Sequence, residues 1–401
     1  TMQGDSRYND LLSNNISSEF ISKEIEFYTD TQKKLKSIDY DDLSDEQKTV
    51  YDVLDYTLKD KIERYAYHPE LLPFSQFEGL PLDFPLLGSA EGNQPFKTTK
   101  DYDNWLKRID AFVIWMNTAE KNFREGMKQN VVLPKKLVVK MIPQMHSEEI
   151  ITEDFDKNIF YGPIKKMPKN FSAKDKEKYK ILYQEAISSK IIPAYQKMGD
   201  FLEKEYLPKA RNTDGINALP NGKNIYEYYA KSWTTTNKTP EEINKIGLQQ
   251  VAMLRAEMEK VKTQLGFKGS LEQFLTSLKT DKKAMPYKTP EEVIAAFNGI
   301  LKKIEPKLPS MFSKFPKTPF EIRRTEKFRE ASASAEYKQG TPDGKRPGIF
   351  YTPIPDATKY NVTNGFESLF LHEAIPGHHY QVSLQQENTK IPKFMRFGWF
   401  G

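Results

Sequence analysis

The chain has 401 residues, of which 38% are hydrophobic and 12% aromatic, so it is long enough for two subdomains, each with its own core. Its 60 basic and 55 acidic residues are interleaved and leave a net charge of +5, which argues against a nucleic-acid-binding surface. The absence of cysteine excludes disulfides and thiolate chemistry, and no run approaches 18 consecutive apolar residues, so we expect no transmembrane segment.

Helical periodicity dominates the chain. Val50, Leu54, Leu58 and Ile62 recur every four residues and predict a helix over 46–65. A second apolar stripe consists of Trp105, Ile109, Phe112, Val113, Met116 and Ala119. The segment 173–205 predicts further helices that break near Pro193. We therefore predict a mainly α-helical protein.

Two sequences combine a capping box with proline at the first helical position. They are Thr239-Pro240-Glu241-Glu242 and Thr289-Pro290-Glu291-Glu292. The threonine caps the first backbone amides, and proline is tolerated there because its missing donor has no helical partner. We expect a helix to begin at each of these sequences.

Two segments, 69–97 and 211–224, have the composition of loops. The first is rich in proline, glycine and aromatic residues, which suits either a wall of a substrate groove or an ordinary packed loop. The second predicts a boundary between a helical N-terminal region, 1–215, and a region that carries the chemistry, 216–401.

Short strand-like segments precede the end of the chain. Phe320–Arg324 and Gly348–Thr352 are rich in aromatic and β-branched residues and are too short for helices. They predict a small β-sheet beside the most informative segment of the sequence, which follows them.

That segment is 372–379, which reads His-Glu-Ala-Ile-Pro-Gly-His-His and holds three of the five histidines. Neutral imidazole is a common zinc ligand, and a carboxylate beside a ligand histidine can act as a general base toward water. His68 and His146 have no such context, and we interpret them as surface or loop histidines.

The spacing of this motif requires a break in the helix. His372 and His378 are six residues apart, which in an unbroken helix means about 9 Å of rise and roughly 120° of rotation. Two rings so placed cannot share an ion. Pro376 and Gly377 lie where the interruption is needed, because proline disrupts a helix and glycine permits unusual dihedral angles.

The motif resembles that of the bacterial domain-of-unknown-function family 885 (DUF885), whose members resemble zinc metallopeptidases of the gluzincin kind. The resemblance extends over most of the chain and includes Tyr102–Arg108, Asn122–Gly126, Trp233–Thr236 and Arg346–Tyr351. It implies a large, mainly helical, gluzincin-like (zincin-like) fold with a small β-sheet next to the active-site helix. It also implies a hydrolase that uses Zn²⁺ and acts on peptides or other amides.

In this resemblance His372 and His378 are the metal ligands and Glu373 is the catalytic base. His379 stays open as an alternative ligand or as a hydrogen-bond donor to the transition state. A gluzincin takes its third ligand from a later glutamate, which we expect beyond Gly401, so that this chain is a truncated form that we expect to bind zinc weakly and to show little hydrolase activity. Glu387 and Glu367 are poor substitutes, because one lies late on the same helix and the other on a different face.

The resemblance further implies that an exposed edge strand binds extended peptide beside the active-site helix. Gly348–Thr352 is the expected strand, and a structural hairpin is the alternative. Members of the family are often predicted to be exported lipoproteins, so the resemblance implies the envelope or periplasm over the cytoplasm. The competing functions are a catalytically silent binding or scaffold protein and a non-peptide amidohydrolase; an intact Glu373 argues against the silent protein.

Overall fold

The computed structural model of the chain describes residues 5–325, 330, 333–363 and 365–398. These residues are mainly helical, as predicted, and include a small sheet. The helices are α1 (Ser18–Lys36), α2 (Asp45–Arg64), α3 (Leu80–Gly88), α4 (Thr99–Lys128), α5 (Lys135–Met145), α6 (Glu148–Ile151), α7 (Gly162–Lys165), α8 (Ala173–Ala186), α9 (Ile192–Phe201), α10 (Gly222–Thr234), α11 (Pro240–Gln264), α12 (Leu271–Thr280), α13 (Pro290–Ile304), α14 (Leu308–Met311), α15 (Phe366–Glu373), α16 (Gly377–Glu387) and α17 (Lys393–Phe397). Two π-helical turns, Ile187–Ile191 and Leu202–Tyr206, flank α9. Among the described helices, none is both long enough and apolar enough to cross a membrane.

The chain divides into two compact units, Asp5–Ile243 and Asn244–Gly401. The predicted boundary, between 215 and 216, precedes α10, which the structure assigns to the first unit. The reason is packing: the Tyr228 ring lies 4.8 Å from that of Tyr67, and its hydroxyl donates a hydrogen bond to the backbone oxygen of Asp60. The loop composition of 211–224 therefore marks a connection within the first unit.

The core of the first unit is built on α4. A capping box between Thr98 and Asp101 begins this helix. The predicted apolar stripe faces inward, and Trp105 and Phe112 are completely buried. Phe84 of α3 stacks on both rings, with centroid distances of 4.6 and 4.0 Å. Aromatic stacking of this kind adds to the free energy of burial and fixes how the helices pack.

The second unit contains a three-stranded sheet of β1 (Phe320–Arg324), β2 (Glu336–Lys338) and β3 (Gly348–Thr352). The spatial order is β1-β3-β2, in which β3 runs parallel to β1 and antiparallel to β2. Both predicted strands are present. The expectation that Gly348–Thr352 is an exposed edge is wrong, because this strand is central and all five of its residues are buried.

A second aromatic cluster supports the helix that carries the histidine motif. Phe297 of α13 is fully buried and stacks on Phe366 of α15 at 4.2 Å and near Phe370 at 5.9 Å. Phe350 of β3 packs on the same ring at 5.1 Å. The capping box at Thr289 begins α13 as predicted, and the equivalent pair of hydrogen bonds is present where α11 begins. The motif helix is thus held by α13 and by the central strand.

Candidate metal centre

The predicted break in the motif is present. Helix α15 ends at Glu373, and Ala374 leaves the helical region with φ −106° and ψ −108°. The Ile375–Pro376 peptide is cis, and α16 begins immediately afterwards at Gly377. Two short helices therefore replace the continuous helix that the six-residue spacing excludes.

Gly377 permits a close approach between the two helices. A Cβ atom on this residue would lie 2.5 Å from the backbone oxygen of Leu371 and closer still to that of His372. No other amino acid fits without a backbone shift. The first turn of α16 consequently packs against the last turn of α15, and the rings of His372 and His378 lie 4.8 Å apart at an interplanar angle of 80°.

Glu373 completes a cluster of three potential ligand groups. Its Oε2 atom lies 3.8 Å from Nε2 of His378, and one atom from each of His372, Glu373 and His378 lies within 4.8 Å of the others. The His372 side chain is exposed and the other two are partly buried. The cluster is therefore open on one side, where a substrate or water can reach it.

The donor chemistry of this cluster fits zinc. Zn–N bonds of about 2.0–2.1 Å place two ligand atoms of one ion no more than roughly 4 Å apart. The ligand atoms of His372, Glu373 and His378 lie within 4.8 Å of one another, and small side-chain rotations would bring them to that distance. Two imidazoles beside a carboxylate match the preferences of zinc, whereas magnesium and calcium prefer sets of oxygen atoms.

His379 faces a different environment from His378. It is buried, its Nδ1 atom lies 3.0 Å from the Tyr337 hydroxyl, and the Ser383 hydroxyl is 3.5 Å from the same nitrogen. Burial lowers the pKa of His379 to about 4, although the negative charge of Glu387 opposes this. The structure thus brings His378, and not His379, to His372, which favours His378 between the two alternatives.

Tyr337 is a site residue that the sequence did not indicate. It lies on β2, and its ring is nearly parallel to that of His378 at 6.4 Å. Burial raises the pKa of Tyr337, so its hydroxyl stays protonated. A Cβ on Gly348 of β3 would lie 2.8 Å from Nδ1 of His379 and closer to the Tyr337 hydroxyl, so any larger residue there would have to displace one of these side chains. No signal in a three-residue strand, distant in sequence, could have predicted this contact.

The two other glutamates considered as ligands make contacts elsewhere. The Glu387 carboxylate accepts hydrogen bonds from the backbone amides of Lys317 and Thr318 and from the Thr318 hydroxyl, each at 2.9–3.0 Å. It thereby ties the end of α16 to the segment that enters β1. Glu367 is exposed and lies 3.8 Å from Lys303. Neither belongs to the cluster of possible ligands formed by the motif.

Comparisons with known proteins agree with the fold. A search of curated proteins finds no significant match. Among solved structures, the chain is similar to "The crystal structure of the putative lipoprotein from Colwellia psychrerythraea", with a TM-score of 0.89 and 20% identity. The similarity covers 99% of this chain and 70% of that one, and at this identity it shows a shared fold alone. The family model for bacterial proteins of unknown function, DUF885, matches residues 1–401, and the chain therefore belongs to that family.

Proposed function

We propose that this protein is a zinc-dependent hydrolase with a gluzincin-like catalytic centre, and that its substrates are peptides. The observation that carries the proposal is the break between α15 and α16, which gathers His372, Glu373 and His378 into one solvent-accessible cluster. A proline and a glycine in mid-motif would weaken an ordinary packing helix. Here they accompany a break that leaves the two imidazole rings 4.8 Å apart, which supports their proposed role as ligands of one ion.

In this mechanism His372 and His378 hold the metal. When bound, zinc acts as a Lewis acid that polarises a substrate carbonyl and acidifies water. Glu373 is adjacent to both rings, with its Oε2 atom 3.8 Å from His378, and is placed to take the proton from the attacking water. It then passes that proton to the leaving amine, as a general base that becomes a general acid.

A catalytic zinc usually has three protein ligands and one open position. Glu387 and Glu367 make other contacts, so neither is proposed as the third ligand. The glutamate that the gluzincin pattern supplies as the third ligand is not assigned to any described residue and stays a prediction. Glu373 is kept as the base, because a carboxylate coordinated to the metal could not also accept a proton from water.

The sheet suggests how a substrate would be oriented. Since β3 is central, the outer strands among the described residues are β1 and β2, and we propose β2 for an extended peptide because it carries Tyr337 next to His378. Pairing of a peptide with this edge would use main-chain hydrogen bonds and would hold the scissile amide near the histidines. The same mechanism would also hydrolyse amides other than peptides.

We also propose a location in the cell envelope. The solved structure with the same fold is described as a putative lipoprotein, which supports the predicted export of this chain. Fractionation of cells that express the native gene, with detection of the protein in envelope and cytoplasmic fractions, tests this proposal.

The activity is tested by incubating the protein purified from expression of the whole native gene with a mixed peptide library and identifying new termini by mass spectrometry. We expect cleavage that a chelator stops and added zinc restores. A His372→Ala variant should show none, and His68→Ala, which removes a surface histidine outside the motif, should match the wild type. A ligand that stabilises the fold, with no zinc-dependent cleavage of peptides or amides by the protein, would contradict the proposal and favour a binding protein.

A further inference from the structure

We propose that His146, Asp200 and Glu203, in the first unit, form a second site for a divalent transition metal, of which zinc is the best match. The three residues come from the end of α5, from α9 and from the π-helical turn that follows α9. One ligand atom from each lies within 4.8 Å of the others. This site shares no residue with the histidine motif and does not depend on the proposed hydrolase.

The imidazole of His146 lies against α9 at Gly199, where the helix has no side chain. A Cβ on Gly199 would lie 2.6 Å from Cε1 of the ring and 2.8 Å from Cδ2. Because Gly199 has no side chain, the ring can lie directly on the helix backbone. This places Nε2 of His146 at 3.9 Å from Oδ1 of Asp200, the next residue along the helix. His146 itself is only 29% exposed, so its position is restricted by packing.

The two carboxylates share one helix face. Asp200 and Glu203 are three residues apart, the spacing at which side chains on a helix are neighbours. Glu203 lies in the π-helical turn, which buried Leu202 and Tyr206 anchor at its two ends. The Tyr206 hydroxyl accepts a hydrogen bond from the backbone amide of Leu133 at 2.9 Å, which holds this turn against the segment before α5. Single π-helical turns occur frequently at functional sites.

The neighbouring cation does not occupy the site. Lys204 forms its ion pair with Oδ2 of Asp200 at 2.9 Å, whereas Oδ1 is the atom that faces His146. Both partners of that pair are more than half exposed, and exposed ion pairs of this kind contribute little free energy. A metal on Oδ1 would leave the lysine contact in place.

One imidazole nitrogen with two carboxylate oxygens is a ligand set that suits zinc, with water in the remaining position. Bound zinc would join the end of α5 to α9 and the π-helical turn. Any ligand that binds the folded state and not the unfolded state raises the melting temperature. The predicted consequence is therefore a zinc-dependent stabilisation of the first unit.

The experiment uses the full chain with both motif ligands removed, His372→Ala/His378→Ala. Zinc bound at the motif then cannot contribute to the measured affinity. Zinc affinity is measured by competition with a chromophoric chelator, and thermal melting is followed with and without zinc. We expect one zinc per chain and a higher melting temperature with zinc. Adding His146→Ala should raise the Kd by at least about tenfold, because even indirect support of a metal ligand is worth that much.

His68→Ala is the matched control, since His68 also pairs with a carboxylate, Glu70 at 3.0 Å, but belongs to no cluster of three possible ligands among the residues that the structure describes. It should leave the Kd unchanged. If His146→Ala unfolds the protein, Asp200→Asn provides the same test at an exposed position with an isosteric side chain. The proposal is overturned if the folded motif-deficient chain takes up no zinc, or if its zinc affinity survives the loss of His146 or the Asp200 charge.

Discussion

Substitution of Gly377 by alanine should disrupt the motif without removing a ligand. The new Cβ would lie 2.5 Å from the Leu371 oxygen and closer still to the His372 oxygen. Non-bonded Cβ contacts are not found below 3.0 Å, so the two helices must separate by at least about 0.5 Å at Leu371 and by more at His372. The clash is with backbone atoms, which cannot rotate away as a side chain can.

The expected loss follows from that displacement. A misplacement of about 1 Å in a catalytic arrangement costs on the order of 100-fold in rate, and loss of support for a metal ligand costs about 10- to 100-fold in affinity. We therefore expect Gly377→Ala to weaken zinc binding at the motif by at least about tenfold. We expect overpacking to lower the free energy of unfolding by about 1–3 kcal/mol.

The assay is zinc competition in a His146→Ala background, with urea unfolding followed by circular dichroism. Gly299→Ala is the matched control, because it lies in α13 of the same unit and a Cβ there meets nothing within 4 Å. It should leave zinc affinity unchanged and raise the free energy of unfolding by about 0.5–1 kcal/mol. If Gly377→Ala bound zinc as tightly as the wild type, the inference that this close approach positions the ligands would be wrong.

Three further substitutions test individual contacts. Glu387→Gln should lower the free energy of unfolding by about 1.5–3 kcal/mol, because it removes a charged acceptor of three hydrogen bonds from Lys317 and Thr318, yet it should leave zinc affinity within twofold. A large loss of zinc affinity would instead identify Glu387 as a ligand. Tyr337→Phe should cost about 1–3 kcal/mol in urea unfolding, since it leaves Nδ1 of a buried histidine without its nearest partner, and an unchanged stability would show that this contact is unimportant. Phe297→Ala should cost about 3–5 kcal/mol, because the ring is fully buried beneath α15, and a loss below about 1 kcal/mol would contradict its place in the core.

Local sequence patterns predicted much of the fold. The capping box at Thr289 and the apolar stripe around Trp105 depend on contacts within a few residues, and both are confirmed. The break at Pro376 and Gly377 was also predictable, because the geometry of a helix alone forbids two ligands at a spacing of six.

Features that depend on distant contacts were not predictable in the same way. Whether the strand Gly348–Thr352 lies at the edge or the centre of the sheet depends on a third strand, β2. Its three residues are too few to show the alternation of apolar and polar residues that predicts a strand. Tyr337 reaches the motif only through that strand. Tyr228 of α10 packs on residues more than 150 positions earlier in the sequence, a contact within the first unit that the composition of 211–224 could not indicate.

The most direct test of the catalytic proposal is Glu373→Gln in the protein expressed from the whole native gene, with zinc content and peptide cleavage measured on the same preparation. Glutamine keeps the shape of the side chain but cannot accept a proton from water. We predict that zinc stays bound and that cleavage falls by about two to four orders of magnitude, the usual contribution of a general base. Cleavage at the wild-type rate by the zinc-loaded variant would contradict the assignment of Glu373 as the base, and with it the proposed mechanism.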